Sequence, residues 1–141
     1  VIGVGRFTEP AFADQAVADG KIDFVAMARA LLADPEWANK ARRGAEDEIR
    51  PCIGCNHGCI CRIDRDLSMR CNVNPDLGRE ITTIGAKTPA NPKSIMVVGA
   101  GPAGVEFAVR AKARGHKIQL FEASSKVGGQ LNLAQVPEFK R

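Results

Sequence analysis

Apolar residues fall along this chain in short blocks separated by polar, glycine-rich stretches. Val1-Ile2-Gly3-Val4 is brief and β-branched and predicts a buried strand. Gly5-Arg6-Phe7 reads as a loop. Thr8-Glu9-Pro10 reads as a helix start, with Thr8 capping and the proline in the first turn. Phe12, Ala16 and Val17 are expected on the buried face of that helix, and Gly20 stops it. Ile22 to Ala28 predicts a second strand, and Arg29-Ala30-Leu31-Leu32 a short helical turn. Asp34-Pro35 predicts the cap and first residue of a further helix, with Trp37, Ala38 and Ala41 buried and Gly44 at its end. The alternation of strand and helix argues for parallel strands joined by helical crossovers.

The second half repeats that alternation. Asp76 to Pro92 lacks a clear period and reads as a linker, within which Ile81-Thr82-Thr83-Ile84 is a weak strand candidate. Lys93 to Val98 is a clear strand that runs into Gly99-Ala100-Gly101-Pro102-Ala103-Gly104. A helix follows to about Arg114, with Val105, Ala108, Val109 and Ala113 toward the sheet, and Gly115 turns the chain. Lys117 to Phe121 is the next strand and closes on Glu122. Met27 and Met96 are read as core strand residues. Lys40, Arg42 and Arg43 are read as a solvated helix end.

That second pattern carries chemistry. A G-x-G-x-x-G alone says little, but here it stands between an apolar strand and a helix, with an acid at the end of the next strand. Gly99 serves the tight turn, Gly101 lets backbone reach a pyrophosphate, and Gly104 allows close helix–strand packing. Pro102 and Ala103 open the helix, whose N–H groups and dipole favour phosphate. Glu122 stands where a carboxylate accepts from ribose hydroxyls. The fingerprint serves FAD and NAD alike. The following Gly128-Gly129-Gln130 resembles the segment lying along FAD in two-dinucleotide flavoproteins, and this resemblance favours FAD.

All five cysteines lie between these two patterns. Cys52, Cys55, Cys59 and Cys71 form C-x2-C-x3-C-x11-C, and Cys61 is additional. Three thiolates on one loop and a fourth returning from further on can surround one centre, and thiolates are soft ligands for iron–sulfur clusters or zinc. Gly54 and Gly58 are expected to let the backbone turn between ligands. Two alternatives remain on spacing alone. One is a disulfide framework, which fits poorly with an odd count and no secretory signal. The other is a structural zinc site, which normally has a second close pair of ligands. His57, between the cysteines, reads as a neighbour rather than a ligand.

Composition narrows the picture. The chain has 141 residues, a net charge of +4 and no tyrosine, so stacking platforms for nucleic acid are not evident. No apolar run reaches membrane-spanning length and no signal peptide is visible, so a cytoplasmic setting with reduced thiols is expected. An apolar opening at Val1 and a stop soon after a cofactor motif lead us to expect a fragment across a domain junction.

Taken together, Arg50-Pro51-Cys52-Ile53-Gly54-Cys55-Asn56, the run Cys71 to Pro75 followed by Gly78-Arg79-Glu80, and Val97 to Gly104 have a family likeness. They resemble the iron–sulfur flavoprotein branch of the Old Yellow Enzyme-like NADH:flavin oxidoreductases. That branch includes 2,4-dienoyl-CoA reductase, 2-enoate reductase and trimethylamine dehydrogenase. The ligand spacing is nearer the dienoyl-CoA reductase type, and Cys61 is a departure. The resemblance implies an α/β chain: the C-terminal end of a TIM barrel, a cysteine-rich cluster loop, then the first βαβ of a Rossmann-like FAD-binding domain. The divisions it implies are 1–48 (last two βα units), 49–80 (cluster segment), 81–92 (linker) and 93–141 (start of the FAD/NAD(P)-binding domain). It implies FMN phosphate bound at Gly5, Arg6, Ala28 and Arg29, on the loops where barrels hold phosphate. It also implies a 4Fe-4S cluster on the four spaced cysteines, FAD at the glycine loop, and NAD(P)H as electron source. Electrons would pass between FAD and FMN through the cluster. The expected substrate is a small enoyl or dienoyl compound. An amine dehydrogenase or demethylase of the same family is the alternative, and a redox-inactive, zinc-stapled nucleotide-binding module is the alternative of another class. The catalytic acid and substrate residues would lie outside this chain. No nucleic-acid or membrane partner is expected, and oligomeric state is left open.

Overall fold

The computed structural model describes residues 1–83 and 89–136. It divides into two compact units, Val1–Ile84 and Gly85–Arg141. In the first, β1 (Ile2–Val4) pairs in parallel with β2 (Phe24–Ala26), Gly3 opposite Val25. The crossover is α1 (Pro10–Ala18), as the alternating pattern requires. Behind it come α2 (Arg29–Ala33), α3 (Trp37–Arg42), a 3-10 turn (Glu46–Glu48), and the short helices α4 (Ile60–Ile63) and α5 (Glu80–Thr83). Phe7, Ala13, Ala30 and Trp37 form the buried cluster, with Ile22, Val25, Met27 and Ile49 packed against it.

Several expectations shift at this scale. Glu9 rather than Thr8 is the N-cap of α1, and it makes no side-chain cap bond. The Thr8 carbonyl instead accepts from the Trp37 indole N–H at 3.2 Å, which locks α3 to the start of α1. Phe12, Val17 and Ala38 are exposed, whereas Ala13 takes the buried position on α1. Small residues win there because α1 lies close on β2, and Phe12 turns aside to meet the Phe7 ring at 5.4 Å. The strand expected over 22–28 is confined to Phe24–Ala26. The segment expected as a strand over 81–84 is helical through Thr83; Ile84 lies outside the described residues. Arg79 stops extension there, since its carbonyl accepts both threonine hydroxyls at 2.9 Å.

The second unit is a single βαβ. β3 (Ser94–Val98) and β4 (Lys117–Phe121) are parallel, with Val97 opposite Leu120. The crossover α6 (Pro102–Ala113) buries Ala108 and Ala111, and α7 (Leu131–Ala134) follows. Val109 and Ala113, expected to face the sheet, are exposed instead, and Met96 is 68 % exposed rather than in a core. Strand alternation explains Met96: Ile95 and Val97 face inward, and their neighbours face the other way. The expected linker residues 84–88 and tail 137–141 lie outside the described residues. No helix among the described residues is long and apolar enough to cross a membrane.

Candidate functional site

The five residues of α2 organise the first unit's site. Two buried polar side chains tie the cysteine segment to this helix, one at each end. Asp34, 3 % exposed, follows α2; its Oδ2 accepts from the Arg50 backbone N–H at 3.0 Å and from Lys40 Nζ at 2.6 Å. Its Oδ1 accepts from the Glu36 N–H, so the expected cap at Asp34 does satisfy the next turn, although α3 begins at Trp37. Lys40 is therefore not a solvated helix-end charge: it also donates to the Glu48 carbonyl at 2.9 Å. Burial pushes the Asp34 carboxyl up, but the Lys40 ammonium and the Arg50 and Glu36 N–H groups outweigh it and hold it below its usual value. At the far end, Asn74, 5 % exposed, donates to the Leu32 carbonyl at 2.9 Å and accepts from the Asp76 N–H.

Between these anchors the cysteine segment folds on itself. Gly54 has φ +66, a conformation that favours glycine. Gly58 is needed for a different reason. Its carbonyl accepts from the Arg70 N–H at 2.6 Å, and a Cβ there would strike the Arg70 carbonyl. That close approach returns Cys71 to the first three cysteines. Cys52, Cys55, Cys59 and Cys71, with Arg29, Leu32, Gly58 and Arg70, line one small pocket. Cys61 is not among its lining residues: it stands exposed on α4. All five thiols are free. No three His, Cys, Asp or Glu side chains among the described residues converge tightly enough for a single metal ion. The donor set, four soft thiols around one shared space, fits a cluster. Asn72 adds an N–H donor to Cys55 Sγ at 3.5 Å. His57 is exposed and does not line the pocket.

A second pocket, of about 110 Å³, adjoins through shared residues. Gly5, Arg6, Ala28 and Arg29 line it together, and Cys52 and Gly54 form part of its wall. The four residues expected to serve one phosphate site thus converge from the ends of β1 and β2. Arg6 has φ +46, a conformation a side chain adopts at a cost, and it follows Gly5 at φ +138. Arg29 and Cys52 line both pockets. Arg29 Nη1 donates to Asn56 Oδ1 at 2.8 Å.

In the second unit the three glycines of the loop differ in what the backbone asks of them. Gly99 has φ +97. A Cβ on Gly104 would strike the Gly99 carbonyl oxygen, so only glycine lets α6 start this close to β3. Gly101 has φ −72 and nothing within 4 Å of an added Cβ, so the protein itself makes no demand for glycine there. Pro102 is the first residue of α6, with Ala103 next. Gly129 packs against this turn, its built Cβ 3.1 Å from Gly101 Cα, and Gly128 N–H donates to the Ala100 carbonyl at 2.8 Å. Gln130 is exposed at the start of α7. The expected FAD-side segment is therefore brought to the loop. Glu122 accepts from the Ala100 N–H at 2.7 Å and from the Ser124 N–H at 3.0 Å, which hold its carboxyl below the usual range, Ser124 most strongly. Glu122 thus orders the glycine loop from the end of β4.

Sequence reasoning passed over Asp34 as an anchor, and it passed over Asn56 and Asn74. A short polar residue at a helix end or beside a ligand is so common that no local signal separates an anchor from a turn residue.

Residues 1–48 match the NADH:flavin oxidoreductase / NADH oxidase family, and residues 97–140 match an NAD(P)-binding Rossmann-like domain. The chain is 48% identical over 135 residues to an NADH oxidase of Thermoanaerobacter brockii, covering 95% of this chain and 21% of that protein. It is 39% identical over 140 residues to a cinnamate reductase of Clostridium sporogenes, covering 99% and 21%. The structure of histamine dehydrogenase from Rhizobium sp. 4-9 superimposes with a TM-score of 0.91 at 34% identity, over 99% of this chain and 21% of that one. The chain thus spans about a fifth of the length of the curated relatives it matches. The family likeness read from the motifs is borne out along the whole chain.

Proposed function

We propose that this chain, whose relatives are NADH:flavin oxidoreductases and related enzymes, is the electron-transfer segment of a flavin-dependent oxidoreductase with three redox centres. One observation carries the reading: four thiols share one pocket, and that pocket shares Arg29 and Cys52 with a second pocket lined by Gly5, Arg6 and Ala28. Cys52, Cys55, Cys59 and Cys71 would hold a 4Fe-4S cluster, and Gly5, Arg6, Ala28 and Arg29 the FMN phosphate, at the C-terminal end of a TIM barrel. Gly99, Gly101, Pro102, Ala103, Gly104, Glu122, Gly129 and Gln130 would hold FAD. A cluster supplies one-electron exchange, which suits it to lie between two flavins that each handle one electron or two. The protein's own part is to fix the spacing of these sites and to bring the four thiols to one pocket. NAD(P)H is the reductant this reading expects, in a cytoplasmic setting.

For the substrate we favour an enoyl or dienoyl compound, on the ligand spacing and the likeness to a cinnamate reductase. The second reading is an amine dehydrogenase, which the TM-score of 0.91 to histamine dehydrogenase keeps in view. The test is cofactor analysis of the full-length protein purified without oxygen. The reading expects iron, acid-labile sulfide, FMN and FAD together, with bleaching by NADH or NADPH. Zinc in place of iron, and no flavin, would sink it in favour of a zinc-stapled module. Flavin bleaching by an amine, but not reoxidation by an enoyl compound, would move it to the second reading.

A further inference from the structure

Two pockets with a common wall can influence one another, and the hydrogen bond to Arg29 names the residue through which they would. Asn56 follows Cys55 directly and has φ +55, a left-handed conformation that asparagine tolerates better than most residues. From there its Oδ1 accepts from Arg29 Nη1 at 2.8 Å. Arg29 is half-buried and lines both pockets. A guanidinium carries five N–H donors in a planar fork, so one donor fixed by Asn56 leaves others for an anion. Fixing the fork in advance removes part of the ordering cost when a phosphate arrives. We infer that Asn56 is a positioning residue: it holds Arg29 in place for the phosphate of FMN, and so links order in the cysteine loop to flavin affinity. The inference rests on reading the second pocket as the FMN site.

The experiment uses the full-length protein and measures FMN affinity by flavin fluorescence, with iron content alongside. Asn56→Gly keeps the left-handed backbone and removes only the side chain. Asn56→Asp keeps both the conformation and an acceptor oxygen. We expect FMN binding about tenfold weaker in Asn56→Gly, the loss of one hydrogen bond to a charged group. Iron should be unchanged, and Asn56→Asp should bind close to wild type. In an Arg29→Ala background the Asn56→Gly effect should vanish. Equal FMN affinity in Asn56→Gly, or an effect that persists without Arg29, would overturn the inference. Loss of iron in Asn56→Gly would also overturn it, because the side chain would then serve the loop itself. Wild-type protein that binds no FMN would refute the flavin reading of the pocket, a different failure from the others.

Discussion

The cysteine pocket and the glycine loop both bring backbone close around a space, by opposite means. The glycine loop is built within one contiguous stretch: strand, turn and helix over residues 94–113 shape it, Glu122 and Gly128 pin the Ala100 peptide, and Gly99 and Gly104 answer backbone requirements on the spot. The cysteine segment has little regular structure, with α4 (Ile60–Ile63) among its few ordered turns. It is held from outside, by Asp34 at its entry and by Asn74 at its exit. The lesson is that a loop without its own ladder of hydrogen bonds borrows rigidity from buried polar side chains elsewhere. The first site should therefore be sensitive to changes remote from its ligands, and the second to changes at its own glycines.

The sharpest way to break the contrast is Gly104→Val. A side chain there meets the Gly99 carbonyl, so the second unit should lose more than about 4 kcal/mol, the exceptional end for one substitution. FAD content should fall to background while iron stays, measured on the same sample. Next is Asp34→Ala, which leaves the Arg50 and Glu36 N–H groups without their acceptor and the half-buried Lys40 ammonium with only the Glu48 carbonyl. Losing these bonds should cost about 1–3 kcal/mol in urea unfolding of the first unit. The cysteine loop should loosen, although no ligand has been touched.

A smaller effect tests the same anchor by pH. The Asp34 carboxyl is held below its ordinary 3.8 in the folded chain, so the ionised form favours folding. Its contribution is present above the unfolded value and is lost as pH falls through the lower folded value. Acid unfolding should thus gain up to about 1.4 kcal/mol of destabilisation per pH unit from this group below about pH 4. Asp34→Asn should flatten that part of the curve; an unchanged slope would remove Asp34 from the account. The smallest change in stability is expected for Gly101→Ala, within about 0.5 kcal/mol, since an added Cβ meets nothing in the protein. On the proposed reading FAD affinity should nevertheless fall by more than about tenfold, because the new methyl would enter the open space that the pyrophosphate would take. Unimpaired FAD titration would show that the loop faces no ligand at Gly101.

The two regions also differ in how far they could be read from residues alone. The βαβ around Gly99 was legible because its signals are contiguous: apolar alternation, three spaced glycines, then Glu122. The spacing of Cys52, Cys55, Cys59 and Cys71 was equally legible, yet what shapes their pocket was not. Asp34 and Asn74 act across 16 and 42 residues of sequence, and nothing in their immediate neighbours marks them. Gly58 was read as a turn former, but its requirement comes from Arg70, which folds back against it. Errors in facing had two causes. Val109 and Phe12 are large and apolar, and periodicity placed them inside, but close helix–strand packing left the buried places to Ala111 and Ala13; Met96 instead lies on the strand face opposite Val97.

The central claim is that four thiols, and not the fifth, define one cluster site. Cys61 is separated from Cys59 by one residue, so the two could in principle exchange roles; only Cys59 lines the pocket. Iron and acid-labile sulfide per chain, measured on Cys59→Ser and Cys61→Ser purified without oxygen, test this directly. The account predicts about four iron atoms retained in Cys61→Ser, since a cubane cluster needs only four thiolates, and loss of the cluster in Cys59→Ser. An intact cluster in Cys59→Ser together with its loss in Cys61→Ser would contradict it.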